Sequence, residues 1–355
     1  MLKLLRQGKI SKWFSGIGQE AISVGVTLAS SENDYLLPMH RNLGVFTTRN
    51  VPFYPLFCQL FGKADGFSKG RERSFHFGSM DHKIVGMISH LAAMMPVADG
   101  IALAKKLKQE DAVAISFCGD GASSEGDFHE ALNLAAVWDL PSIFIIENNG
   151  YGLSTPTRQQ YACEHLSDRA VGYGMHSMNI DGNDVLKVFN AIVEARKIAL
   201  SGKPVLIEAK TFRMRGHEEA SGTAYVPEDL FDDWSKKDPI LRYEQYLESH
   251  HMHSQEDFDR IRKEVDKSFE SDLKKALKSP EPEFNTENEL NAVFASAPII
   301  KTSNKSVNSS EKRFIDGIQS TLRFAFDEDE QFLMMGQDIA EYGGVFKISE
   351  GFLDR

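Results

Sequence analysis

The sequence predicts an α/β protein built on a parallel sheet flanked by helices. Between about 91 and 217, short apolar runs alternate with helical patterns that carry one apolar face. The spacing leaves room for a helical crossover between successive runs, and such crossovers make the strands parallel. Composition agrees: 355 residues, 42% hydrophobic and 26% charged, is a globular chain long enough for a large core and more than one domain.

The elements are justified in order. The start, MLKLLRQGKISKWF, sets Lys3, Arg6, Lys9 and Lys12 among apolar residues as a packed helix does; it lacks the apolar core and cleavage site of a secretory signal. Pro96 to Leu107 is an Ala-rich helix, and 113–118, with Val113, Ile115 and Phe117, is a short buried strand. A helix over 125–138 follows, with Phe128, Ala131, Leu132, Ala135 and Trp138 on one face. Ser142 to Glu147 is a second strand, 183–200 a further helix and Pro204 to Lys210 a third strand. From 226 to 279 the pattern is helical and heavily charged, a set of solvated helices with an apolar stripe. The stretch 280–310, rich in Pro, Asn, Ser and Lys, reads as a linker. Beyond it the pattern restarts with a helix, a short apolar strand over 332–335 and a loop. A piece of that size cannot bury a core of its own.

The net charge of −11 disfavours nucleic-acid or anionic-membrane binding by the molecule as a whole, and no run is long enough to span a membrane. The three cysteines, Cys58, Cys118 and Cys163, form no CxxC pair, which suits a reducing, cytoplasmic setting.

The chemistry concentrates in AVAISFCGDGASSEGDFHEALNLAAVW, where Asp120 stands between two glycines at the carboxyl end of a strand, the edge where parallel sheets bind ligands. A bare GDG would be a strand-to-helix turn capped by Asp120. The second strand ends in NNGYG, and Asp120 and Asn149 lie 29 residues apart, the length of one strand-helix-strand crossover. Their strands can then be neighbours about 5 Å apart, with both side chains pointing into one crevice. A carboxylate, an amide oxygen and a loop carbonyl such as that of Tyr151 are hard ligands of the kind Mg²⁺ takes, with phosphate oxygens and water completing its shell. The amides of Gly121 and Ala122 would face those phosphates.

GDG and NN at this spacing resemble the thiamine diphosphate motif. GDGASSEGDFHEALNLAAVWDLPSIFIIENNGYGLSTPT is similar to the alpha subunit of the decarboxylating 2-oxoacid dehydrogenases. The segments GQEAISVG, MHRNLG, GRERSFHFGS, GYGMHSMNIDGNDV and TFRMRGH extend the likeness, and STPT, GYG and DGNDV most resemble the branched-chain (2-oxoisovalerate) enzymes. The tail from 311 resembles the opening of the beta subunit. Together these imply a thiamine diphosphate-binding fold over 1–279, a linker over 280–310, and an alpha-beta fusion cut early in its pyrimidine-binding beta part over 311–355.

The resemblance also implies roles. Asp120, Asn149 and the carbonyl of Tyr151 would hold Mg²⁺, and Gly121 and Ala122 would meet the diphosphate. Arg41, beside His40, sits where the family has a diphosphate-binding arginine. His217 matches a histidine that stabilises the diphosphate or orients and protonates bound intermediates. Ser89 and Leu91 match the strip beneath the thiazolium, where a bulky apolar side chain keeps the cofactor bent. His40, His76, His82 and His90 lack metal-ligand spacing and read as structural or as supports behind the residues that touch the cofactor. Departures are His40 in place of Tyr, Glu147 where branched-chain enzymes have Arg, Ala93 and Met94 where some relatives bind potassium, and Glu218 where animal enzymes carry a regulatory serine.

The activity implied is oxidative decarboxylation of a branched-chain 2-oxoacid such as 3-methyl-2-oxobutanoate, with acyl transfer to a lipoylated acyltransferase. The implied partners are a beta subunit or beta half, in an alpha2beta2-type oligomer. Pyruvate or acetoin is the alternative substrate, since small apolar side chains differ by only about 1 to 3 kcal/mol in a pocket. A non-catalytic cofactor-holding subunit and a magnesium-dependent phosphate hydrolase are the readings from other classes.

Overall fold

The computed structural model describes residues 1–72, 76–296 and 311–354, which divide between two compact units, Met1–Phe284 and Asn285–Arg355. The first unit carries a five-stranded sheet, every neighbouring pair parallel, in the order β1-β2-β3-β7-β6. Its strands are β1 (Tyr35–Leu37), β2 (Ala114–Gly119), β3 (Ser142–Asn148), β6 (His176–Asp181) and β7 (Val205–Lys210). A two-stranded antiparallel ribbon, β4 (Tyr151–Gly152) and β5 (Thr155–Pro156), rises from the end of β3.

Alternation along the strands builds two cores. Ile115 and Phe117 of β2, Ile143 and Ile145 of β3 and Ile207 of β7 face one side, against Ile22 and Val26 of the helix Glu20–Ala29 and Val188 and Ile192 of Val185–Leu200. Ala114, Cys118, Phe144, Ile146 and Leu206 face the other, against Met95 and Ala98 of Met94–Leu107 and Phe128, Leu132 and Ala135 of Gly126–Val137. Strands buried on both faces read as continuous apolar runs, which is why β2, β3 and β7 are visible in the sequence. β1, three residues long, and β6, an edge strand whose residues are exposed or half-buried, carry no such run.

The N-terminal helix is only Leu2–Arg6, shorter than expected. The helix expected over 125–138 spans Gly126–Val137 and is preceded by a 3₁₀ turn over Gly121–Ser124. The charged stretch forms three helices, Glu228–Ser235, Pro239–Ser249 and Gln255–Leu277; the last packs Phe269 edge-on against Phe57 of Phe53–Phe61.

In the second unit a short helix spans Thr286–Asn291 and a longer one Phe314–Glu328. The first falls within the stretch expected as a linker, whose residues 297–310 lie outside the described ones. The strand expected over 332–335 is not formed. Phe332 turns edge-on to Phe326 at 4.8 Å, and no second strand is present among the described residues of this unit to complete a ladder.

Candidate functional site

The carboxyl ends of four neighbouring strands converge on a cavity of about 710 Å³, a volume typical of small-molecule sites. β1 leads into His40 and Arg41, β2 into Asp120, Gly121 and Ala122, β3 into Asn149 and Tyr151, and β7 into Arg213 and His217. The loop before the helix Met94–Leu107 adds Ser89 and Leu91. The residues given cofactor or metal roles from the sequence, His40, Arg41, Ser89, Leu91, Asp120, Gly121, Ala122, Asn149, Tyr151 and His217, all border this cavity, whereas His76, His82, Glu147 and Glu218 do not. Leu91 is 58% exposed, so it lines the cavity and is not part of the core.

Asp120 caps no helix: its side chain makes no bond to the following turn. The residue is 1% exposed, its Oδ2 accepts a hydrogen bond from Gln160 Nε2 at 3.1 Å, and its Oδ1 is buried without a partner. Burial raises its pKa, against the Gln160 bond and the charge of Arg213. Such a carboxylate lacks one counter-charge. Gln160 Nε2 also donates to the Thr155 carbonyl at 2.7 Å, which ties the carboxylate to the β4–β5 ribbon. A Cβ on Gly121 would come within 3.0 Å of Gly152 Cα, so this glycine serves the close approach of the ribbon. Asn149 is buried, and its Oδ1 accepts only a long 3.3 Å bond from Tyr151 N. Among the described residues no three His, Cys, Asp or Glu side chains come together as a metal cluster. The donor set at Asp120 and Asn149 is oxygen alone, which suits a hard cation.

Across the cavity two guanidiniums meet one imidazole. Arg213 Nη1 lies 3.1 Å and Arg41 Nη2 3.4 Å from His217 Nδ1. Arg41 also donates to the carbonyls of Ser15 (3.2 Å) and His217 (3.0 Å), and Arg213 to that of Leu153 (2.8 Å). Among the described residues neither forms an ion pair. Burial, then the neighbouring Arg213, lowers the Arg41 pKa to about 10, and burial also lowers that of Arg213; both keep their charge at neutral pH. Guanidiniums can only donate, so Nδ1 of His217 accepts and the ring proton sits on Nε2. Burial first, then Arg41, Arg213 and His40, pushes His217 down to about 4. His40, its ring tilted against Phe14 at 5.0 Å, is likewise lowered to about 4 by burial, His76 and Arg41. Both imidazoles are neutral at pH 7.

Behind the cavity Glu147 is fully buried and accepts from Asn42 Nδ2 at 2.6 Å and Gln19 Nε2 at 2.9 Å. Asn42 Oδ1 in turn accepts from Met39 N at 2.7 Å, which fixes the loop that carries His40 and Arg41. Burial raises the Glu147 pKa to about 7. Arg213 and Gln160 carry no local signal in the sequence; the T-F-R-M-R-G-H run offers two arginines, and only the geometry selects the first.

A family model described as Dehydrogenase E1 component matches residues 1–285. The chain is 41% identical over 246 residues to the 2-oxoisovalerate dehydrogenase subunit alpha, mitochondrial, of Caenorhabditis elegans, covering 68% of this chain and 57% of that one. It is 41% identical over 251 residues to the 2-oxoisovalerate dehydrogenase subunit alpha of Bacillus subtilis, covering 70% and 76%. With the human 2-oxoisovalerate dehydrogenase subunit alpha, mitochondrial, it shares 37% over 284 residues, covering 79% and 64%. The chain therefore spans between 57% and 76% of the length of these relatives. The matched stretch takes in every residue of the cavity, and the chain belongs to the dehydrogenase E1 component family.

Proposed function

We propose that this chain is the alpha-type part of a thiamine diphosphate- and Mg²⁺-dependent dehydrogenase that decarboxylates a branched-chain 2-oxoacid and passes the acyl group to a lipoylated acyltransferase. The observation that carries this reading is the unpartnered, buried Asp120 Oδ1 in the same cavity as two buried guanidiniums without ion pairs. One end asks for a cation and the other for an anion. A magnesium diphosphate group supplies both.

The residues present fit the group. Asp120 and Asn149, with the carbonyl of Tyr151, would hold Mg²⁺; the amides of Gly121 and Ala122 and the guanidiniums of Arg41 and Arg213 would take diphosphate oxygens. Thiamine diphosphate, when bound, supplies a carbon nucleophile for the keto group and a sink for the electrons left by carbon dioxide. The chain's own residues bind, orient and hold protons around it. His217, neutral with its proton on Nε2, is a fixed hydrogen-bond donor rather than a charge. Leu91 offers the cavity an apolar surface that a bound ligand would cover, taking it out of water.

The relatives' names, 2-oxoisovalerate dehydrogenase subunit alpha, support 3-methyl-2-oxobutanoate as substrate and a beta part as partner in an alpha2beta2-type assembly. On this reading residues 1–279 are the alpha-type domain and 311–355 the opening of a beta-type one, joined by a linker. No helix among the described residues is long and apolar enough to cross a membrane, and the three unbridged thiols are consistent with a cytoplasmic enzyme. The test is carbon dioxide release from 3-methyl-2-oxobutanoate and from pyruvate with Mg²⁺, thiamine diphosphate and an artificial electron acceptor. The chain is assayed alone and with a supplied beta part. Turnover of the branched substrate on adding the beta part is expected. Preference for pyruvate would move the substrate, and cofactor binding without turnover in either mixture would favour a non-catalytic subunit.

A further inference from the structure

Outside the cation and anion ends, the cavity wall at Ser89 leads into a three-membered chain of polar groups, of which Glu72 and His76 have no role above. Ser89 Oγ, on the cavity wall, lies 2.6 Å from His76 Nε2, and His76 Nδ1 lies 2.6 Å from Glu72 Oε1. Glu72 and the neighbour of His76 are each anchored. The Glu72 carbonyl accepts from Gln59 Nε2 (2.9 Å) and Ser68 Oγ (3.0 Å), and its N–H donates to Ser68 Oγ (3.1 Å). Next to His76, Phe77 is buried, its ring stacked 4.9 Å from Phe67 and tilted 4.8 Å from Phe46. The imidazole also meets His40 edge-on at 5.3 Å.

The order of the three fixes the direction of their hydrogen bonds. A carboxylate can only accept, so with a neutral His76 ring Glu72 takes the Nδ1 proton and Nε2 is left bare. Nε2 then accepts, and the Ser89 hydroxyl must donate to it. The Ser89 lone pairs are thereby turned to the cavity. We propose that Glu72, His76 and Ser89 form a proton relay that opens into the cavity at Ser89, with Glu72 and His76 as positioning residues that make Ser89 an acceptor toward a ligand hydroxyl. When a ligand O–H gives its proton to Ser89 Oγ, the original Ser89 proton passes to His76 Nε2, and the imidazolium is paired with the Glu72 carboxylate. Only O–H and N–H bonds are made or broken, and the reverse transfer restores the resting state. This arrangement of hydroxyl, imidazole and carboxylate is the one that activates serine in other enzymes. Here it serves proton movement at a hydroxyl of the ligand.

The relay's part in turnover rests on the 2-oxoacid reading; its geometry does not. The test therefore has two arms. In the full chain without cofactor, ¹⁵N-histidine NMR should show His76, assigned by its loss in His76→Asn, with its proton on Nδ1. That tautomer preference should survive Ser89→Ala and disappear in Glu72→Ala. A proton on Nε2, or a preference indifferent to Glu72, overturns the relay. In the assembly with beta part and cofactor, Ser89→Ala and His76→Asn should each lower kcat by on the order of 10²-fold or more with little change in KM. The double variant should be no slower than Ser89→Ala alone, because His76 acts through the hydroxyl. Losses that multiply in the double variant, or a Ser89→Ala enzyme at full kcat, overturn it. Absence of turnover in the unaltered enzyme would count against the 2-oxoacid reading, while the tautomer measurement still decides the relay.

Discussion

Replacing Glu147 by Gln should raise the melting temperature of the cofactor-free chain at pH 8 and leave it nearly unchanged near pH 5. Burial, opposed by the Asn42 bond and the Arg41 charge, lifts the Glu147 carboxyl from 4.5 to about 7. Between those values the folded chain keeps a proton that the unfolded chain has released, so stability falls as pH rises and the loss is complete above about 7. At about 1.4 kcal/mol per pH unit the loss is on the order of 3 kcal/mol. For a unit of this size that is roughly 6 °C, at about 2 °C per kcal/mol. A glutamine removes the titration and can keep both contacts. Its oxygen accepts from Asn42, and its NH₂ can meet Gln19 Oε1, a buried acceptor now without a partner, once the Gln19 amide turns over. Thermal unfolding followed by far-UV circular dichroism from pH 5 to 8.5 decides the matter. The two curves should converge at the acid end and separate above pH 7 with the variant higher. Parallel curves, or a variant less stable at pH 8, would refute the argument that burial keeps this carboxyl protonated.

Asp120→Ala should abolish Mg²⁺-dependent thiamine diphosphate binding in calorimetry while raising the melting temperature of the empty chain, since a buried carboxylate without a counter-charge is removed; normal cofactor affinity would sink the site assignment. Arg41→Ala should weaken binding about 10- to 100-fold, the worth of a charge-assisted hydrogen bond, yet leave the Mg²⁺ requirement intact. His217 should titrate near 4 by NMR and move up toward 6.5 in Arg213→Ala, because one of the charges that holds it down is gone; an unmoved titration would contradict the arrangement of the two guanidiniums. Gly182→Ala should cost about 1 to 3 kcal/mol in thermal unfolding without touching cofactor affinity, as its Cβ would stand 2.8 Å from the Lys210 carbonyl between β6 and β7.

The parts of this molecule that are legible in the sequence are those with a local physical signature. β2 and β3 are continuous apolar runs because both their faces are covered, and the polar residues that end them, Asp120 and Asn149, stand out by contrast. β1 and β6 lack that contrast: one is three residues long and the other lies at the sheet edge with much of its surface exposed. Phe332 to Met335 has the composition of a strand and no ladder partner, and composition alone does not supply one. Arg213 and Gln160 escape notice for another reason. Their roles depend on what the sheet brings beside them, Arg41 and His217 for the first and Asp120 for the second. His76 reads as one histidine among several until Glu72 and Ser89 are seen on its two nitrogens.

The charges around the cavity explain why a metal ion and a diphosphate would bind there together rather than singly. His40 and His217 are neutral near pH 7, and Glu147 is protonated in the neutral range more readily than any exposed carboxyl. The charges that face a bound ligand are then Arg41 and Arg213 at one end and, with a cation beside it, the Asp120 carboxylate at the other. A divalent cation alone would leave the cavity strongly positive beside two guanidiniums already lowered by burial, Arg41 also by the charge of Arg213. A triply ionised diphosphate alone would meet Asp120 Oδ1 without a screen. Bound together, the cation and the diphosphate bring the cavity close to neutral, and each supplies the counter-charge the other's end lacks. Coupling of this kind is reciprocal: whatever the diphosphate adds to metal affinity, the metal adds to diphosphate affinity. Glu147 enters the same balance, because its ionisation would add a negative charge behind the arginine loop. Its burial between Asn42 and Gln19 thus sets the position of Arg41 without spending the charge that Arg41 offers to the cavity.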